Sequence, residues 1–121
     1  MTSTNDPAAV VQRQLDAYNA RDVEALLAMY APNAELFEHP SNVLASGAAA
    51  LRERFITRFQ EPNLRATLLS RMVMGHIVVD HEEVSRTFAE GRGRIKLVMI
   101  YEVRNGWITR AWMIAGEKTL D

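Results

Sequence analysis

Apolar residues along this chain change their period partway. Val11, Leu15 and Tyr18, then Val23, Leu26, Leu27 and Tyr30, then Leu51, Phe55 and Phe59 recur three or four residues apart, the spacing of one helix face. From residue 64 onward apolar and polar positions alternate instead, as they do in strands. The breakers agree with this division. Asp6-Pro7 sets a capping carboxylate before a proline at the first helical position, where the missing N–H is harmless. Asp22 suits the start of a second helix that Pro32 stops, and Ser46 the start of a third that closes before Pro62. Between them, residues 34–39 suit a short strand ended by Pro40. Four long strands are expected at residues 64–74, 77–90, 94–104 and 107–116, separated by Gly75-His76, Gly91 to Gly93 and Asn105-Gly106. The Asn-Gly pair is the strongest hairpin signal among them. The pattern predicts an α+β fold, helices ahead of a mainly antiparallel sheet.

Two of these strands are apolar on both sides. Ile95, Leu97, Met99, Tyr101 and Val103 form one face of the third, yet Val98 and Ile100 lie on the other. In the fourth, Ala111, Met113 and Ala115 alternate with Trp112 and Ile114. A sheet with one wet face is polar there. Either helices cover one face and a partner subunit the other, or one face lines a cavity.

Composition mostly excludes. A chain of 121 residues holds one core, so a single domain over residues 1–121 is expected. A formal net charge of -1 supplies no field toward nucleic acid or anionic lipid. Arg92-Gly93-Arg94-Ile95-Lys96, the densest basic cluster, reads as a hairpin turn with solvated flanks. Cysteine is absent, which removes thiolate catalysis and zinc–thiolate sites. No apolar run approaches a membrane span, and the polar start Met1-Thr2-Ser3-Thr4-Asn5 lacks a signal-peptide pattern, so a cytoplasmic protein is expected. No Gly-x-Ser-x-Gly elbow and no phosphate-binding glycine pattern occurs. His76 and His81 stand five apart on extended chain, point to opposite faces, and cannot chelate one metal.

Val10-Val11-Gln12-Arg13, Asn19-Ala20 with Asp22, Ser46-Gly47 and Gly116-Glu117-Lys118 follow one another at a spacing that resembles bacterial ketosteroid isomerases. Over residues 10–118 the chain is similar to the nuclear transport factor 2-like superfamily, which also includes SnoaL-like polyketide cyclases. The resemblance implies a cone-shaped α+β roll, with three N-terminal helices packed in a curved sheet around a deep apolar cavity. It also implies a homodimer through the outer sheet face, bringing Val98, Ile100, Trp112 and Ile114 to the interface. The isomerase chemistry, in which an Asp base works beneath a Tyr and a protonated Asp, does not carry over. The family's oxyanion tyrosine falls on Gln14 and its neutral aspartic acid on Met99, and the acidic-Pro pair that holds the base reads Glu38-His39-Pro40 here. Some relatives hydrolyse epoxides through an Asp-Arg-Asp arrangement, which matches no particular residues of this chain.

His39 stands in the place of the base, and its ordinary pKa suits proton transfer near neutrality; a hydrogen-bonded histidine at a strand end is the plain alternative. Tyr18, one turn beyond Gln14 on the apolar helix face, and Tyr101, beside Met99, present hydroxyls to the cavity or serve as core. Counting by two from Val84 puts Asp80, Glu82 and Arg86 on the cavity side of their strand, unless a bulge at Glu82-Glu83 turns His81 inward. A buried Arg86 needs an acid, Glu82 or Glu38. The expected catalytic set is therefore His39, Tyr18, Arg86 and Tyr101, with Gln14, Glu82, Leu97, Met99, Met113 and Phe55 binding substrate. The expected activity is cofactor-independent isomerase, cyclase or lyase chemistry on a small apolar carbonyl compound, with no metal. A ligand-binding or dimerisation module without turnover is the alternative.

Overall fold

The computed structural model of the chain describes residues 6–121, and the polar start from Met1 to Asn5 lies outside them. Helices α1 (Pro7–Ala20) and α2 (Val23–Leu27) come first. A hairpin of β1 (Tyr30–Glu38) and β2 (Asn42–Ser46) precedes α3 (Ala48–Arg58). Four long strands follow: β3 (Arg65–Met74), β4 (Ile77–Phe88), β5 (Gly91–Arg104) and β6 (Trp107–Leu120). All six join one curved sheet in the order β2-β1-β6-β5-β4-β3. Only β1 and β6 run parallel; the other neighbours are antiparallel.

Caps set the first helices as their residues suggest. The Asp6 carboxylate accepts from the Ala8 amide at 3.2 Å, and that of Asp22 from Ala25 at 3.1 Å. Four details differ from expectation. Pro32 does not stop α2, which ends at Leu27; it lies inside β1. The β1–β6 register shifts between Tyr30 and Glu35, so the proline sits where the ladder is already interrupted and its missing N–H is tolerated. Residues 42–46 form a strand that shows no alternating pattern because it is a largely exposed edge. Ser46 ends that strand, and the cap of α3 is Gly47 at φ 86, which makes no side-chain cap bond. The turn between β4 and β5 falls at Ala89-Glu90, and Gly91 to Gly93 belong to β5. There a Cβ on Gly93 would collide with the Thr119 carbonyl, so the close approach of β6 accounts for the glycine. Asn105 and Gly106 do turn between β5 and β6, both at positive φ, 53 and 81.

The core fills one end of the sheet's concave side. Val10 and Val11 of α1, Leu26 and Leu51 pack with Val78, Val103, Ile108 and Ala111, all of them at 1% exposure or less. Toward the other ends of β4, β5 and β6 the helices and sheet diverge. Asn19 and Gly116, which carried the family likeness, hold this arrangement together with Arg21. The Asn19 side chain clamps Ala66 of β3, its carbonyl oxygen accepting from the Ala66 amide at 2.8 Å and its N–H donating to the Ala66 carbonyl at 2.9 Å. Arg21, in the left-handed region at φ 56, closes α1 and donates to the carbonyls of Phe59 and Pro62 at 3.0 and 3.1 Å. Gly116 lies where β6 passes the register shift between Ile95 and Leu97, with the Lys96 carbonyl 3.0 Å from where a Cβ would stand.

Candidate active site

Where α1 and α3 diverge from the sheet they enclose a cavity of about 170 Å³. A dry apolar cavity of roughly 150 Å³ takes benzene, so this one suits a body of about one ring. Leu15, Leu36, Phe55, Leu97, Met99 and Met113 supply apolar wall. Gln14 and Tyr18 reach it from the same face of α1, one turn apart. From β4 come Glu82, Val84 and Arg86, and from β5 Ile95, Leu97, Met99 and Tyr101, each at the two-residue spacing of one strand face. Arg54 and Arg58, one turn apart on α3, complete the outer wall with Arg86.

Glu82 is the group whose chemistry this setting changes most. It is 5% exposed and makes no hydrogen bond or ion pair among the described residues. Burial pushes its pKa up to about 7; the Asp80 carboxylate pushes the same way, and Arg71 pulls against both. Near neutrality it therefore gives and takes a proton with little bias. Three tyrosines border the same space. The Tyr101 hydroxyl donates to the Gln14 carbonyl oxygen at 3.3 Å. Desolvation holds Tyr101 and Tyr30 far above their ordinary pKa, and Tyr18 is raised by the same cause against the pull of Arg58. All three remain hydroxyl donors across the physiological range. The Tyr18 and Phe59 rings meet edge to face at 5.5 Å between centroids, which fixes Tyr18 on the wall.

Nine of the ten expected site residues border this cavity: Gln14, Tyr18, Phe55, Glu82, Arg86, Leu97, Met99, Tyr101 and Met113. His39 does not. It follows the end of β1, exposed, with its backbone N–H donating to the Met113 carbonyl at 2.9 Å. Alternation explains the placement: Leu36 and Glu38 share the concave face, while Phe37 stacks on Trp112 at 5.7 Å on the convex one. The acid of the Glu38-His39-Pro40 run, and not its imidazole, stands on the pocket side, at the rim. No bulge interrupts β4, so His81 faces outward opposite Val98. The acid that pairs with Arg86 is neither Glu82 nor Glu38. It is Glu61, just after α3, at 2.8 and 3.2 Å. Asp80 lies on the Glu82 face but beneath the cavity, held by Arg71 at 2.7 and 2.9 Å. Among the described residues no three His, Asp or Glu side chains are grouped to hold a metal.

The family model described as a SnoaL-like domain matches residues 11–111, most of this fold. The chain belongs to the SnoaL-like family. No curated protein matches the sequence. Solved structures share the fold at low identity. The epoxide hydrolase/cyclase-like enzyme SalBIII, of pyran ring formation in salinomycin, superposes with a TM-score of 0.82 at 20% identity, over 96% of this chain and 95% of its own. A cystatin-fold protein from Novosphingobium aromaticivorans gives 0.81 at 21%, over 94% and 99%. A Δ5-3-ketosteroid isomerase from Mycobacterium sp. gives 0.78 at 19%, over 98% and 100%.

Proposed function

We propose that this protein is a cofactor-independent acid–base enzyme acting on a small, largely apolar carbonyl compound, with Glu82 as the proton-transfer group. The observation that carries the reading is a carboxyl with no ion-pair partner among the described residues, pushed up to about 7 inside a mostly apolar cavity bordered by three tyrosines. A base whose pKa lies near the working pH combines a useful ionised fraction with a useful driving force. The Glu82 carboxylate takes a proton from the carbon beside the carbonyl, and the electron pair moves onto the carbonyl oxygen. Tyr18, Tyr30 or Tyr101, with the Gln14 amide, donates to that oxygen. Return of the proton to another carbon isomerises the compound; attack of the enolate on a second carbonyl closes a ring; loss of a β-substituent makes a lyase. Relatives of this fold include a cyclase-like enzyme and an isomerase, which agrees with chemistry of this kind.

Exchange of α-protons in D2O tests the reading without a known substrate. Small aryl ketones followed by NMR should exchange faster with the protein, at a rate that climbs with pH and levels above about 7. Glu82→Gln should slow exchange by about a hundred-fold or more, and Tyr101→Phe by less. Full exchange by the Glu82→Gln protein sinks the assignment. Ketones that bind without exchanging would leave a carrier of the same fold.

We also propose a homodimer across the convex face. Met72, Val79, Ile100, Trp112 and Phe37 stand in register across five strands and make one apolar row there. Ile114 and Met72 remain exposed. Sedimentation should show a dimer that Ile100→Glu converts to monomer; a monomeric parent protein overturns this.

A further inference from the structure

Arg54, Arg58 and Arg86 border both the inner cavity and a broader outer recess of about 450 Å³ that also touches Leu44, Thr57 and Glu61. The three guanidiniums form the neck between the two spaces. Their partners are few. Glu61 accepts from Arg86 at 2.8 Å and lies 3.4 Å from Arg58. Arg86 is further restrained over the Phe88 ring at 5.4 Å. Arg54, half-buried on the central turn of α3, forms no ion pair among the described residues. Glu38 at the rim and Glu53 on the outer recess are exposed acids, too solvated to neutralise the neck. At Arg54 burial and the repulsion of Arg58 and Arg86 outweigh the pull of Tyr18 and Glu38, and its pKa is lowered. A cation placed thus, partly desolvated and facing two others, is stabilised by an incoming anion.

We infer that the substrate carries a carboxylate: its compact apolar carbonyl end enters the inner cavity, and its carboxylate is held in the neck by Arg54. Arg58 and Arg86 reinforce the hold from either side of Glu61. The inference rests on the cavity being the ligand site of the proposed enzyme, though not on turnover. It also orients the ligand, since a carboxylate in the neck leaves the other end of a short molecule toward Glu82.

The test is calorimetric titration at low salt with 4-phenylbutyrate, 4-phenylbutan-1-ol and 4-phenylbutylamine, which share one apolar body and differ in the head. The carboxylate should bind about ten-fold or more tighter than the alcohol, the amine weakest. Arg54→Met should abolish that preference while changing alcohol binding little. Glu61→Gln keeps an acceptor for the Thr87 amide, now at 3.0 Å, removes the charge shared by Arg58 and Arg86, and should tighten carboxylate binding. A gain of affinity cannot come from misfolding. Equal binding of carboxylate and alcohol, a preference that survives Arg54→Met, or failure of all three probes to bind overturns the inference. Glu82→Gln should keep the preference, so a failure of the proposed base and a failure of the neck give different results.

Discussion

Asp80 and Glu82 stand two residues apart on one face of β4, and the protein treats these two carboxyls in opposite ways. Asp80 is fully buried and held by two bonds from the Arg71 guanidinium, which also donates to Gln12 of α1 at 2.9 Å. Its charge is matched, and the pair ties β3 to β4 and both to the first helix. Glu82 is almost as buried but borders an open cavity, and among the described residues no cation stands at bonding distance from it. The lesson is that burial alone does not decide a carboxyl's role. A partner at bonding distance makes it structural; the lack of one leaves a group that keeps its proton up to near-neutral pH. The two are also coupled, because Asp80 raises Glu82 and Arg71 lowers it.

Removing the charge of Asp80 breaks the comparison most severely. Asp80→Asn leaves the Arg71 guanidinium, 15% exposed, without its carboxylate, and loss of one member of a buried pair costs about 3–5 kcal/mol. Urea unfolding should show that loss, and a cost below about 1 kcal/mol would mean the pair holds little. Asp80→Leu combined with Arg71→Met should recover most of it, since apolar groups of similar size replace such pairs at little cost. The same single variant should lower the pKa of Glu82, because the repelling carboxylate is gone and Arg71 is left unopposed.

Much of this site could be read from residue order, and the limits are instructive. Counting by two from Val84 puts Glu82 and Arg86 in the cavity because β4 pairs with β5 without a shift. The face of β5 from Ile95 to Tyr101 was legible for the same reason. What failed to show were contacts between residues with no fixed spacing. Glu61 reaches Arg86 from the segment after α3, and Arg71 meets Asp80 across a ladder whose register slips between Leu68 and Ser70. No periodicity encodes either pairing. His39 has the residue type of a proton-transfer group, but alternation along β1 sets Glu38 on the pocket side and leaves His39 exposed past the strand end. The raised pKa of Glu82 follows first from burial, which only the folded chain supplies, and then from Asp80, whose place on the same strand face alternation does give. Among the described residues no helix is long and apolar enough to cross a membrane, and composition alone leads to the same statement.

The finer test sets Glu82 against its own isostere as pH changes. In the folded chain this carboxyl titrates at about 7, whereas in the unfolded chain it titrates near ~4.3. Between those values the folded protein holds a proton that the unfolded one has lost, so stability falls as pH rises. The favourable contribution is complete below the unfolded pKa and is lost on passing through the folded one. Glu82→Gln has no such proton to lose. At pH 4 the two proteins should unfold at similar urea concentrations. By pH 8 the parent should have lost about 3 kcal/mol relative to the variant, from a shift between two and three units. A variant more stable than its parent at pH 8 yet unable to exchange α-protons would mean that the chain gives up stability for a carboxylate without a partner. Equal stability of the two across this range would instead place Glu82 in a wetter setting than its burial implies, and it would then resemble any surface acid.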